Sequence, residues 1–169
     1  MAAPVVGGAH SGSGSVRVVF SPPLEFIARQ AGLFGALLRV EMGALWEGFK
    51  PIMGAMEEEQ WATHGQGEWP PLAASTLARK TSGEMMVETG DLKDSLVDPN
   101  RAMRVQGMSA EYGTNVSYAH FHQDGGSITG RPPQRRVIPD PVPVERRREL
   151  EVVMVAWVNR ISAKTWGRI

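Results

Sequence analysis

His120-Phe121-His122, with Asp124 two residues on, is the sharpest cluster of metal-ligating side chains in the sequence. On a strand, residues two apart share a face, so both imidazoles and the carboxylate would meet one ion. Three such ligands and an open position suit a hydrolytic zinc or a non-haem iron. A metal-dependent hydrolase using His120, His122 and Asp124 is therefore the enzymatic alternative. No paired acid or base accompanies the cluster, and a satisfied pair of loop or interface histidines uses the same residues. Other chemistries find less. There is no Gly-x-Ser-x-Gly elbow, and Gly12-Ser13-Gly14-Ser15 lacks a strand–turn–helix context. Phosphate-cradling glycine loops are absent too. Without cysteine there are no disulfides, no thiol catalysis and no thiolate metal sites.

A second constellation is cationic. Arg131, Arg135, Arg136, Arg146, Arg147 and Arg148 crowd residues 131–148 against only Asp140 and Glu145. The chain as a whole is balanced, with 18 Lys+Arg and 18 Asp+Glu, so the belt is a local feature. Such a belt invites an acidic protein surface or a polyanion. No aromatic residues interleave with it, which removes a stacking platform for single strands, although arginines can touch phosphates without reading sequence. Arginine also pairs bidentately with carboxylates between protein subunits. On that reading Arg131, Arg135 and Arg136 face the acidic run Glu57-Glu58-Glu59 of an adjacent subunit.

The elements that carry these residues follow from periodicity. Residues 1–15 are small, Gly/Ser-rich and aperiodic, which predicts a flexible arm that orders on contact with another subunit. Val16 to Phe20 reads as a short strand, stopped by Ser21-Pro22-Pro23, where serine can cap a helix. Ile27, Ala31, Phe34, Leu38, Met42, Leu45 and Phe49 form one apolar stripe, predicting a single helix of about 27 residues. Gly32, Gly35 and Gly43 would let another backbone approach it, and Pro51 should kink or restart it. Residues 63–70 are a glycine-punctuated loop, and Leu72 to Lys80 a short helix. Met85 to Val87, Leu92 to Val97, Arg101 to Gln106 and Glu111 to Tyr118 alternate well enough for strands or short elements. Residues 125–143 form an extended proline-rich loop. Pro143 opens a last helix with Leu150, Val153, Met154, Trp157, Val158 and Ile161 on its apolar face.

The expected fold is thus α+β: a small, mainly antiparallel sheet flanked by helices, with a long N-terminal helix and a flexible N-terminal arm. Its parts are the arm at 1–15, a strand-and-helix extension at 16–50, and the α+β domain at 51–169. Apolar residues at 42% and charged residues at 21% imply a soluble, globular chain. No apolar run is long enough to span a bilayer, and the first residues lack a secretory pattern, so the expected compartment is a cytoplasm.

Four linked pieces of the chain resemble a known family. The first is Gly67-x-Trp69-x-x-Leu72-x-x-Ser75-Thr76-x-x-x-Lys80, followed by Glu88-Thr89-Gly90-x-Leu92-x-x-Ser95. Then come Gly113-Thr114-x-Val116-x-Tyr118-Ala119-x-x-His122-Gln123-x-Gly125 and Pro133-x-Arg135. In this order they are similar to the virion morphogenesis proteins of tailed bacteriophages, also called tail-completion or head–tail joining (neck) proteins. The match spans roughly residues 50–140. Val137 departs from it, standing where a larger residue is common, and the N-terminal helix and arm exceed the shared core. The resemblance implies a non-enzymatic ring subunit with no cofactor, built as a homo-oligomer, most plausibly a hexamer. Its expected neighbours are other neck, tail-terminator and connector proteins, and its expected place is the virion after assembly in the host cytoplasm. It marks Trp69, Leu72, Thr76, Lys80, Thr89, Gly90, Leu92, Gly113, Tyr118, His122 and Gly125 as structural motif positions. A DNA-contacting packaging accessory, using the arginine belt, is a further alternative.

Overall fold

The computed structural model describes residues 9–10, 16–17, 24–125 and 133–167. The elements run β1 (Ala9–His10), β2 (Val16–Arg17), α1 (Leu24–Val40), α2 (Met42–Ala62), α3 (Ala74–Leu77), α4 (Asp91–Val97), α5 (Pro99–Ala102), β3 (Met103–Gln106), β4 (Ser109–Tyr112), α6 (Ala119–Asp124) and α7 (Val144–Trp166). The fold is α+β, with small antiparallel pairs among helices. β1 pairs with β2, and β3 with β4 in the register Met103 opposite Tyr112 and Gln106 opposite Ser109. Gly107 turns the second hairpin with φ 60°, a conformation that glycine adopts without strain. The rest of the expected arm and the Ser21-Pro22-Pro23 cap lie outside the described residues. Two compact units result: Glu41–Val158, and residues up to Val40 together with those from Asn159 onward.

The single long helix expected from the apolar stripe is two helices. The break falls at Glu41, whose carbonyl accepts from Ala44 N (3.1 Å) and from Trp157 Nε1 (2.8 Å). A carbonyl drawn into those bonds cannot continue the regular helical ladder. Pro51, by contrast, does not interrupt α2. It lies on the exposed side, and burial of Met56 and Trp61 beyond it offsets the one missing helical bond. The close approaches also fall on other glycines than expected. A Cβ on Gly32, Gly35 or Gly43 would meet nothing within 4 Å, whereas one on Gly48 would lie 2.7 Å from Val153 Cγ1. Gly54 similarly admits Val97 O at 3.3 Å and Pro99 Cδ at 3.4 Å.

Three of the segments expected as strands or short elements are not strands over their whole length. Leu92 to Val97 is helix α4, because Gly90 caps it at φ 92° and Asp91 and Asp94 favour its first turn. Leu92 and Leu96 are both buried, the four-residue spacing of a helix rather than the alternation of a strand. Met85 to Val87 is loop, with Met86 at φ 61°. The strand expected over Glu111 to Tyr118 ends at Tyr112. The core that results joins Trp61, Trp69, Leu92, Leu96, Ala119 and Val137. Its two indoles meet edge to face at 5.2 Å and 85°, a favoured aromatic geometry.

Glu57 sits inside this unit, fully buried on α2, and neither carboxyl oxygen has a hydrogen-bond partner. Burial without compensation pushes its pKa up to about 8 from 4.5, so it is neutral at pH 7. The neighbouring Tyr112 hydroxyl donates to Leu96 O and is itself pushed up, first by burial and then by Glu57 and Asp98. Because the folded pKa of Glu57 is the higher one, its contribution to stability is full below about pH 4.5 and is lost as the pH rises through about 8. Glu57→Gln should therefore stabilise the chain at pH 7 by about 3 kcal/mol and flatten the decline of stability toward alkaline pH. Urea unfolding at pH 5, 7 and 9 checks this; parallel pH profiles for both proteins would contradict it.

Candidate functional site

The site is built on a segment with no strand or helix of its own, residues 133–138. Trp69 starts it. Gly65 at φ 67° and Gly67 at φ 84° fold the loop after α2 back on itself, and a Cβ on Gly65 would lie 2.3 Å from the Trp69 ring. The buried Trp69 donates from Nε1 to Arg136 O at 3.0 Å, and Gln60 Nε2 donates to the same carbonyl at 2.7 Å. Arg135 answers from the other side. Its Nε donates to Pro70 O (2.9 Å) and its Nη2 to Pro71 O (3.1 Å). Arg135 N meets His122 O at 2.8 Å, and the Gln123 amide clamps Ile138 by accepting from its N–H and donating to its carbonyl, both at 3.0 Å. Gly125, at φ 71°, ends α6 where a Cβ would press on Gln134 at 2.8 Å.

Beside the Arg135 end of this network lies an open cavity of about 810 Å³. Leu72, Thr76 and Lys80 line it from α3 and its flanks, Met86, Thr89, Gly90 and Leu92 from the loop into α4. Tyr118, His122 and Arg135 complete it from α6 and the 133–138 segment. Residues scattered over sixty-odd positions in the sequence, most of them motif positions, thus share one wall. Lys80 Nζ donates to Ser82 Oγ and Val87 O and lies 3.4 Å from Glu88. Glu88 is held below the usual carboxylate range, chiefly by hydrogen bonds from Thr81 and then by Lys80. Thr89 Oγ1 donates to Asp91 at 2.7 Å at the start of α4. Met86 was without a signal in the sequence: its left-handed backbone, rare for a side chain of that size, is visible only in three dimensions. Gln60 and the Pro70 and Pro71 carbonyls were equally silent.

Electrostatically the Arg135 end is the unusual one. Arg135 is 4% exposed, and burial lowers its pKa. It forms no ion pair among the described residues. His122 is lowered by burial first and by Arg135 second, so its ring is neutral at pH 7, and its buried Nδ1 has no partner. Tyr118 packs edge-on against the same ring at 6.3 Å.

The remaining expectations divide. His120 and His122 lie on helix α6 rather than on a strand, so their side chains diverge by roughly 200°. His120 and Asp124 are exposed while His122 turns into the cavity, and the described residues contain no group of three potential ligands placed around one ion. The shared face that the metal reading needs does not exist. The arginine belt is likewise not one surface. Arg135 points inward, Arg136 is exposed with Nη1 donating to Asp140 O at 2.7 Å, and Arg131 lies outside the described residues. Nor is the acidic run a single patch, because consecutive helical residues point about 100° apart. Glu57 is internal, Glu58 is exposed, and Glu59 pairs within the chain with Arg146 at 2.9 Å, which also binds Glu149. Gly113 stands apart from the cavity, its N–H bonded to Ala102 O at 3.0 Å.

Adjacent arginines should therefore behave differently. Arg135→Met strips the Pro70 and Pro71 carbonyls of their donors and should lower stability by about 2–4 kcal/mol. Arg136→Met leaves its backbone carbonyl in place and should change stability by less than about 0.5 kcal/mol. Chemical denaturation of the two variants tests the difference; equal losses would show that the Arg135 bonds do not hold the segment. No protein-family model, curated protein or solved structure matches the chain.

Proposed function

We propose that the chain is a structural, non-enzymatic subunit of a tailed-bacteriophage neck, a ring that completes the tail and joins it to the head. The observation that carries this reading is convergence. Trp69, Leu72, Thr76, Lys80, Thr89, Gly90, Leu92, Tyr118 and His122 come from separate pieces of the resemblance, yet the fold gathers them around one core and one cavity. Residues that only happened to match a pattern would have no reason to meet. Catalytic readings lose their strongest support with the divergence of His120 and His122 on α6.

A ring needs two unlike patches on each subunit, because heterologous contacts close a cycle. The solvent side of α7 supports one of them: Val152 is 68% exposed and Val155 56%, one helical turn apart. The subunits form a homo-oligomer, a hexamer matching the sixfold tail, and the ring assembles in the host cytoplasm and stays in the virion beside the tail-terminator and connector proteins. No described helix is long and apolar enough to cross a membrane. Arg147 and Arg148 are exposed on α7 and form no ion pair among the described residues. They are free to meet DNA in the channel, and salt-dependent retention of duplex DNA by the assembled ring reports that contact.

Native mass spectrometry is the direct test. The 18.4 kDa chain is expected as a sixfold assembly, and Val152→Asp with Val155→Asp as a folded monomer. A strict monomer at high concentration would overturn the ring. A twelvefold assembly would move the subunit to the portal side of the neck.

A further inference from the structure

Arg135 raises a question of charge. A buried cation is ordinarily matched by an anion, since desolvating it without one is costly. All 18 acidic side chains of the sequence lie among the described residues, and none pairs with Arg135. The two carboxylates on the cavity wall are engaged elsewhere, Glu88 with Thr81 and Lys80 and Asp91 with Thr89. The segments outside the description contain no Asp or Glu side chain. A carboxylate on another molecule would supply the missing counter-charge.

The cavity says what kind. At about 810 Å³ it lies within the range of ligand-binding clefts. Its wall mixes Leu72, Met86, Leu92 and the exposed face of Tyr118 with the guanidinium of Arg135 and the unpartnered Nδ1 of His122. A partly apolar wall whose second cation, Lys80, is already paired with Glu88 leaves one unpaired charge among the described residues, too little for a phosphate backbone, which needs charge along its length. It suits an extended peptide whose apolar side chains fill the wall while one carboxylate reaches the fork of Arg135. Two of the guanidinium nitrogens already hold the Pro70 and Pro71 carbonyls, and Nη1 makes no bond within the chain.

We propose that this cavity receives an extended, largely apolar segment of a different protein, bearing one Asp or Glu that pairs with Arg135. Taking that protein to be a neighbour at the head–tail junction rests on the ring-subunit reading above; the charge argument does not. The segment enters beside Tyr118 and Thr76, both exposed at the rim.

Selection of a random nonapeptide library on the purified full-length chain tests it without assuming a partner. The enriched peptides should share one Asp or Glu flanked by apolar residues. A synthetic copy of the dominant peptide, followed by fluorescence anisotropy, should lose at least tenfold in affinity when its acid is changed to the amide. Thr76→Glu, an exposed position that sets a negative charge in the cavity, should weaken binding at least tenfold while circular dichroism stays that of the parent. Tyr118→Ala should weaken it as well. No enrichment, enrichment without an acid, or binding indifferent to Thr76→Glu would overturn the proposal. Native masses from the same samples separate the two claims. A sixfold ring that selects no acidic peptide sinks the cavity proposal alone, whereas a monomer that selects one sinks the ring alone.

Discussion

Residues 133–138 run along the core, burying Arg135 and Val137, without a sheet to pair their backbone, and the rest of the structure is arranged around that constraint. Buried amides and carbonyls have to find partners, and here side chains from distant parts of the chain supply them. Trp69 and Gln60 share the Arg136 carbonyl, Gln123 takes both polar groups of Ile138, and the Arg135 N–H uses the free carbonyl of His122 in α6. Arg135 then reaches across to the Pro70 and Pro71 carbonyls, tying the segment to the loop that Trp69 anchors. Remove Gln123 or the Arg135 side chain and backbone groups of the segment or of the Trp69 loop lose their partners, whereas the Arg136 carbonyl keeps a second donor if either Trp69 or Gln60 is lost. That is why a nominally irregular segment can line a cavity with a fixed shape, and why Val137, directly after the two arginines, is almost wholly buried.

Burial also decides what the charged residues do. Arg135 and Arg136 are neighbours in sequence but serve the fold through different atoms, one through its guanidinium and the other through its carbonyl. Glu57, Glu58 and Glu59 divide likewise into a neutral buried acid, an exposed one and an ion-paired one. On the proposed ring-subunit reading both kinds of position have a use: the internal charge of Arg135 would meet a bound segment, and exposed apolar residues such as Val152 would meet a neighbour.

Much of the architecture was legible in the residue pattern, for reasons that lie in single elements. The α7 stripe from Leu150 to Ile161 and the turn at Gly107 depend on local geometry, so period and glycine were enough. The Thr89-Gly90 turn was legible too, but the helix it launches was not. Leu92 to Val97 is too short for its pattern to separate strand from helix, and the acid-rich first turn with the burial of both leucines four residues apart marks it as α4. The break at Glu41 had no sequence signal because its cause, the indole of Trp157, lies more than a hundred residues away. The site was half legible. Its wall residues stood out as linked motif pieces, whereas the inward turn of Arg135 depends on carbonyls, and carbonyls are the same in every residue. The histidine pair misled because two-residue spacing means a shared face only on a strand.

Amide hydrogen exchange at Arg135 and Ile138 tests most directly whether the 133–138 segment is a built part of the core. Their N–H groups are bonded to His122 O and to Gln123 Oε1. If the segment is locked as described, both should exchange only through opening of the whole Glu41–Val158 unit, as slowly as the buried amides of α4. Exchange at the rate of an unstructured loop, with α4 still protected, would contradict the account, because neither the cavity nor the placement of Arg135 would then persist in solution.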